Sequence, residues 1–396
     1  MNTDQVIRSW DYAGGFQTQN KKEERLAPTA YQTAPTLFTR EHRRQKLDAT
    51  FDWGAQDFEV EISQAYGCVS SCYLEINTPE ISGESYKRER GVHAIREVSL
   101  YSDSTKVYTV PYGVFIQEYL QSASDNKCRA MMEGFLGRES GMSDTGGAKT
   151  ILLPLPLPNS HYLRREDDSG HSYGVFPNVL GNTSKLQFRI TLNTANHMVG
   201  NGVTPPASIA NQCTLVTTVL KMREADQRRW SAGAGVYSVQ VPTYFVEKGW
   251  QNCDAATAQE FDILPTGLVT DLIIQLRPRS AEANIETNSD PVELSAVQLV
   301  CDSESVAKYD SAAEINLHKS QNGIVDNIYF ANEHRICFST NGNGADKHFL
   351  GAMSFRAVSK AILRVTAASD CQARIVSKRL CKVWIQSNGK VRSAFE

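Results

Sequence analysis

The sequence predicts an all-β protein in two tandem blocks, each a sandwich or barrel, with short helices in the connections. Three observations carry this. Short runs in which apolar and polar residues alternate with period two recur from Phe51 to the end of the chain. Helical spacing is confined to brief stretches between them. The 396 residues are too many for one ordinary domain and suit two of about 150–200 residues.

Residues 1–50 read as an extended arm, ordered only against another surface. They are polar and weakly periodic, and they carry the basic cluster Arg40, His42, Arg43, Arg44 and Lys46. The first block spans 51–208. Phe58, Val60 and Ile62 alternate with Glu59 and Glu61, which predicts a strand with one apolar face. Tyr73 to Ile76 continue before a turn at Thr78-Pro79, and 93–101 and 106–110 are the next strands. After Gly113 the period changes. Phe115, Tyr119, Leu120, Met131, Phe135 and Leu136 fall at helical spacings, so 112–137 reads as helix, split at the polar stretch 122–127. A glycine-rich loop at 141–147 leads to the strand 151–157, where Pro154 and Pro156 alternate with leucines. Proline cannot donate to a ladder, so this strand belongs at a sheet edge or a subunit boundary. The cleanest alternation in the chain, 186–192, closes the block.

The loop 195–211, with Gly200, Gly202, Pro205 and Pro206, is the best candidate boundary, which makes 209–396 the second block. Strands are predicted at 214–222, 236–246, 268–276, 292–300, 325–330, 336–339, 361–366, 372–377 and 381–386. A short helix falls at 223–230 and a polar loop at 281–291. Asn-Gly pairs at Asn201, Asn322, Asn341 and Asn388 favour tight turns. The two blocks show no convincing identity, so any repeat is one of architecture only.

Composition narrows the function. At 41% hydrophobic and 21% charged, the chain can bury real cores. A net charge of −3 gives no global attraction to nucleic acid. Nine cysteines, an odd number without a Cys-x-x-Cys pair, read as buried thiols in a reducing cytoplasm rather than a disulfide or zinc framework. The polar start MNTDQVIRSW is no secretory signal, and no run approaches the ~20 apolar residues of a membrane span. No phosphate loop, nucleophile elbow or paired-histidine metal motif occurs. Gly342 to Lys347 reads as a hairpin turn, Glu166-Asp167-Asp168 as a solvated loop, and Arg223, Arg228 and Arg229 as part of a mixed-charge helix face. The eight histidines are dispersed, and His93 and His197 read as structural. No catalytic residue, metal or cofactor is expected. The basic residues Arg40, Arg43, Arg44 and Lys46 are the one polyanion contact the sequence offers, toward lipid headgroups or a genome.

Five places then share an order and spacing. These are 58–62 with Cys72-Tyr73-Leu74-Glu75-Ile76 and Pro79; 93–100 with 112–120; Leu153-Pro154-Leu155-Pro156-Leu157 with Phe176-Pro177 and Leu180; 223–230; and 380–395 with Gly389. Over residues 51–396 they make the chain similar to the double jelly-roll major capsid proteins of tailless icosahedral DNA viruses. It departs at Asn159-Ser160-His161-Tyr162, where the family has an aromatic-rich stretch, and it is short for the large-virus branch. The resemblance implies two eight-stranded jelly rolls per chain, homotrimers of pseudo-hexagonal outline, and a structural rather than enzymatic role in the virion, after synthesis in the host cytoplasm. It implies as partners the neighbouring trimers, penton and minor capsid proteins, and an internal membrane or genome met through the arm. The loops near 141–147, 195–211 and 281–291 would form exposed towers or subunit clasps. Two other readings fit part of the pattern: another jelly-roll virion component (penton, spike or minor capsid protein), or a carbohydrate-binding or hydrolytic jelly roll. The last would need an aromatic platform or a carboxylate pair in a cleft, and neither is identifiable in the sequence.

Overall fold

The computed structural model describes residues 38–62, 67–87, 90–121, 146–157, 176–178, 185–200, 202–222, 237–279, 292–321, 333–338, 351–385 and 391–395. The chain divides into two compact units. The first runs to Val241 and includes Lys382–Ala394, and the second runs from Pro242 to Cys381 with the last two residues.

In the first unit the elements are β1 (Phe38–Lys46), β2 (Phe58–Glu61), β3 (Gly67–Thr78), α1 (Arg90–Ala94), β4 (Ile95–Ser102), β5 (Thr105–Pro111), α2 (Tyr112–Gln121), β6 (Lys149–Leu155), β7 (Phe176–Asn178), β8 (Leu186–Leu192) and β9 (Cys213–Met222). They build two antiparallel sheets, β1-β9-β3-β6 with β7 also on β3, and β2-β8-β4-β5. The inner faces meet through alternate residues. Phe188, Ile190 and Leu192 of β8 are buried, and so are Leu74 and Ile76 of β3 and Leu215 and Val219 of β9. The proline-spaced strand lies at the end of its sheet order, as its missing donors require. The carbonyls of Pro154 and Pro156 accept from the buried hydroxyls of Tyr112 (3.0 Å) and Tyr108 (2.5 Å).

The second unit carries most of β10 (Tyr237–Cys253), then β11 (Ala258–Ile263), β12 (Leu268–Pro278), β13 (Leu294–Cys301), β14 (Glu304–Tyr309), α3 (Ala312–Gln321), β15 (Glu333–Cys337), β16 (Met353–Ser354), β17 (Ala361–Ala367) and most of β18 (Cys371–Ile385), whereas β19 (Val391–Phe395) falls in the first unit but for its last residue. Its sheets are β10-β18-β12-β15, with β16 on β12 and β19 on β18, and β11-β17-β13-β14. Set the short strands β7, β16 and β19 aside and number the rest within each unit. Both units then have the orders 1-8-3-6 and 2-7-4-5. That interleaving is the eight-stranded jelly roll, present twice.

The repeat goes beyond architecture, which corrects the expectation from sequence. Lys185 precedes LQFRITL in β8 and Lys360 precedes AILRVTA in β17, so the two seventh strands share a Lys-x-x-apolar-Arg-apolar-Thr pattern. Arg189 faces Glu59 across β8 and β2 (2.7 Å), and Arg364 faces Glu260 across β17 and β11 (2.8 Å). Each unit turns from its fourth to its fifth strand through Asp-Ser: Asp103-Ser104 and Asp302-Ser303. The aspartates sit at φ 53° and 47°, a left-handed conformation that Asp tolerates better than most residues. Each is pinned to its matching lysine. Asp103 N–H donates to the Lys185 carbonyl (2.7 Å) and Asp302 N–H to that of Lys360 (2.9 Å), while the carboxylates accept the lysine backbone N–H at 2.8 and 2.9 Å.

Several boundaries also move. Residues 38–46, read from sequence as the end of an arm, are β1, paired over nine residues with β9. The boundary at 208 gives way to one at Val241, because β9 lies between β1 and β3 and completes the first jelly roll. The stretches 372–377 and 381–386 belong to the single strand β18. The start of 93–101 is the short helix α1, and β11, β14 and α3 were not foreseen. The predicted helix beyond Gln121, most of the loop 141–147, the helix at 223–230, the loop 281–291, the strand 325–330, three of the four Asn-Gly pairs and Asn201 of the fourth lie outside the described residues.

Candidate functional site

The basic cluster lies on β1, at the end of the order β1-β9-β3-β6. Strand alternation places His42, Arg44 and Lys46 on one face and Arg43 on the other, and Arg40 pairs through its backbone with Leu220, so of the expected contact residues Arg44 and Lys46 share a face, with His42 beside them. Successive members of the row are about 6.5–7 Å apart along the strand. His42 Nδ1 lies 3.1 Å from Thr218 Oγ1 on β9. Arg44 pairs with Glu75 on β3 while its side chain stays 59% exposed. Arg43 pairs with Glu41 on its own face (3.4 Å). One charge of the row is already partly balanced by Glu75. Exposed charge on an edge strand also discourages pairing with a stray strand.

The loop 195–211, a candidate tower or clasp, is tied to the first unit over its described residues. Asp52 accepts from Ser208 Oγ (2.5 Å), Ile209 N–H (2.8 Å) and Trp53 N–H (2.8 Å), and Trp53 Nε1 donates to the Ala207 carbonyl (3.0 Å). Burial pushes the Asp52 carboxyl up, but these donors outweigh it and hold the carboxyl below its ordinary range. Thr204 N–H donates to Glu84 (2.8 Å), and His197, read as structural, is buried against Thr194 (2.9 Å). At the end of the glycine-rich loop, a Cβ on Gly146 would lie 2.2 Å from the Glu84 carbonyl and 2.3 Å from that of Ile81, so only glycine fits.

Sequence reasoning missed a buried charged cluster in the second unit. Asp271 on β12 is opposite Lys378 on β18, with 3.7 Å between carboxylate and ammonium and side chains only 7% and 3% exposed. On the neighbouring β15, Glu333 and Arg335 pair at 2.8 Å, equally buried. Cys337 places its thiol against Asp271, and burial followed by that carboxylate pushes the thiol well up. The signal was there to read: one acid inside the apolar run LVTDLIIQL. His318 of α3 lies at the edge of this cluster. Its Nε2 accepts from Cys337 N–H (3.3 Å), so Nδ1 carries the proton and faces the Tyr309 hydroxyl (3.0 Å). Desolvation lowers the His318 pKa, and Asp271 opposes this only in part. With a depressed folded pKa, the unfolded chain takes up this proton first, so stability is lost as pH falls below the ordinary histidine value of about 6.5. Titration should show the urea midpoint falling between about pH 7.5 and about pH 5.5, with a smaller fall in His318→Gln. Equal falls in both proteins would clear His318 of the role.

Among the described residues no group of three or more His, Cys, Asp or Glu is placed to hold a metal ion. No described helix is long and apolar enough to cross a membrane.

No family model matches the chain, and no curated protein does. Solved structures do match along nearly its whole length. PBCV-1 VP54, as fitted into a reconstruction of the virophage Sputnik, superposes with a TM-score of 0.68 at 10% identity, over 92% of this chain and 98% of that one. The quasi-atomic PBCV-1 virus capsid gives 0.64 at 12% identity, over 92% and 98%. The Faustovirus major capsid protein gives 0.58 at 9% identity, over 96% and 97%. The chain therefore has the double jelly-roll fold of these capsid proteins, as the sequence predicted.

Proposed function

We propose that this chain is a viral major capsid protein that self-assembles as pseudo-hexameric homotrimers into an icosahedral shell. The observation that carries the reading is the pair of jelly rolls with one strand order, 1-8-3-6 and 2-7-4-5, superposing on capsid chains over more than nine-tenths of both partners. A chain holding two like barrels presents six in a trimer, which suits a near-hexagonal lattice closed by rotational symmetry. The role is structural rather than enzymatic, in the virion, after synthesis in the host cytoplasm. Neighbouring trimers, penton and minor capsid proteins are its partners. The β1 residues Arg40, Arg43, Arg44 and Lys46 meet an internal membrane or the genome.

The test is the solution mass of the purified chain by light scattering, followed by imaging of assembled particles. The expected species is about 132 kDa, three chains of 43.9 kDa. A stable monomer that forms no shell under any assembly condition would overturn the reading and favour another jelly-roll role, in a minor virion component or in carbohydrate binding.

A further inference from the structure

The seven described cysteines are all free thiols, and six are buried. Two stand apart. Cys253 is the last residue of β10 and Cys371 the first of β18, its neighbour in the sheet. Contacts across the pair set the register. Ser377 bonds Glu247, and Gln372 Nε2 donates to Asn252 Oδ1 (2.9 Å). The next step puts Cys253 opposite Cys371. Both belong to the apolar core of the second unit. Residues directly opposite in an antiparallel pair have Cα atoms about 4.5–5.5 Å apart, inside the window of about 4.4–6.8 Å that a disulfide spans.

Cys253 Sγ also donates to the Gln251 carbonyl at 4.0 Å, and two other buried thiols have comparable partners. Cys72 turns to Thr217 (3.9 Å) and Cys213 to the Ile209 carbonyl (3.8 Å), and burial pushes both up to about 12. At the pair the asymmetry differs. Cys371 beside it, helped by Arg279, pulls the Cys253 thiol down, whereas the neighbouring Cys253 together with burial pushes Cys371 up. Arg279 is held at this end of the sheet by Asp254 (2.5 Å) and Asp370 (3.6 Å). The adjoining turn residues Asp254 to Thr257 are exposed, so solvent lies one residue from the pair.

We propose that Cys253 and Cys371 form an oxidative modification site, a dithiol that a peroxide closes to an intrachain disulfide stapling β10 to β18. The Cys253 thiolate attacks one peroxide oxygen. The O–O bond breaks, hydroxide leaves, and Cys253 becomes a sulfenic acid. The Cys371 sulfur then attacks the Cys253 sulfur, the S–O bond breaks, and the second hydroxide leaves. The two thiol protons convert both hydroxides to water. Each sulfur gives up one electron, and the peroxide takes both. The bridge closes a loop of more than about 100 residues, the length at which constraint of the unfolded chain is most effective. This inference does not depend on the capsid reading.

The experiment uses the full chain, treated with hydrogen peroxide without denaturant, then alkylated, digested and mapped by mass spectrometry. The expected product is one peptide pair joined through Cys253 and Cys371, two hydrogens lighter than the reduced pair. The Tm should rise by roughly 5–10 °C and fall back with reductant. In Cys371→Ser, Cys253 should stop at the sulfenic acid and be trapped by dimedone, with no rise in Tm. Recovery of both thiols as alkylated peptides after peroxide would overturn the proposal, as would bridges to other cysteines. Should Cys371→Ser fail to fold, the peptide map of the unsubstituted chain decides alone.

Discussion

Replacing Lys378 with methionine should destabilise the second unit by about 3–5 kcal/mol, one of the largest single-residue effects in the chain. Lys378 and Asp271 are opposite each other on β18 and β12, both almost wholly out of water. Removing the ammonium leaves the Asp271 carboxylate facing the Cys337 thiol, a weak donor, with no cation opposite. The carboxylate must then stay charged at a high desolvation cost or take up a proton. The double variant Asp271→Leu/Lys378→Met removes both charges and leaves shapes of similar volume, so it should recover most or all of the loss. Urea unfolding of the two single variants and the double gives the coupling directly. If Lys378→Met has the midpoint of the unsubstituted chain, water reaches the pair and the interior reading of this face is wrong. We hypothesise that the pair sets register. A one-residue slip of β18 against β12 would turn Lys378 toward Leu272, Ile274 and Leu276, the apolar face, where no acid awaits it.

The same strands show why some of the fold was legible in sequence and some was not. β8 alternates and β17 nearly does, because one face meets the core and the other is more exposed, so LQFRITL and AILRVTA announced themselves. β12 is buried on both faces and still read as a strand, since its apolar run is long and β-branched. β1 was hidden. FTREHRRQK is charged on both sides, and only its pairing with β9 makes it a strand. β14 was hidden for the same reason, as the exposed edge strand ESVAKY. Lys378 and Arg379 broke the apolar pattern of β18 and split it in two on paper, because period counting cannot see that each has an acid across the sheet, Asp271 and Glu247. The basic cluster was found by composition, but its division between two faces needed the strand. The Cys253–Cys371 pair joins residues more than a hundred apart, and nothing local marks it.

The second large effect concerns where the first jelly roll begins. Deleting residues 1–50 should abolish folding of the first unit, whereas deleting 1–37 should leave it folded. The longer deletion removes all of β1, from Phe38 opposite Met222 to Lys46 opposite Thr214, and with it Leu47, which is buried and bonds the Cys213 carbonyl through its N–H (2.9 Å). β9 would then become the edge. It would carry a long row of unpaired backbone groups and a flank of Leu215, Thr217 and Val219 with its cover gone. Several ladder bonds at about 1 kcal/mol each, plus the lost burial, are comparable with the whole stability of a domain, about 5–15 kcal/mol. Calorimetry should therefore show the first unit's transition missing after the longer cut and present after the shorter one. A normal transition after removal of residues 1–50 would return β1 to the status of an arm. If the shorter cut folds as expected, it also separates two roles that the sequence alone had merged. A loss of shells at that cut would then belong to residues 1–37 in assembly, because β1 and its basic row would still be in place.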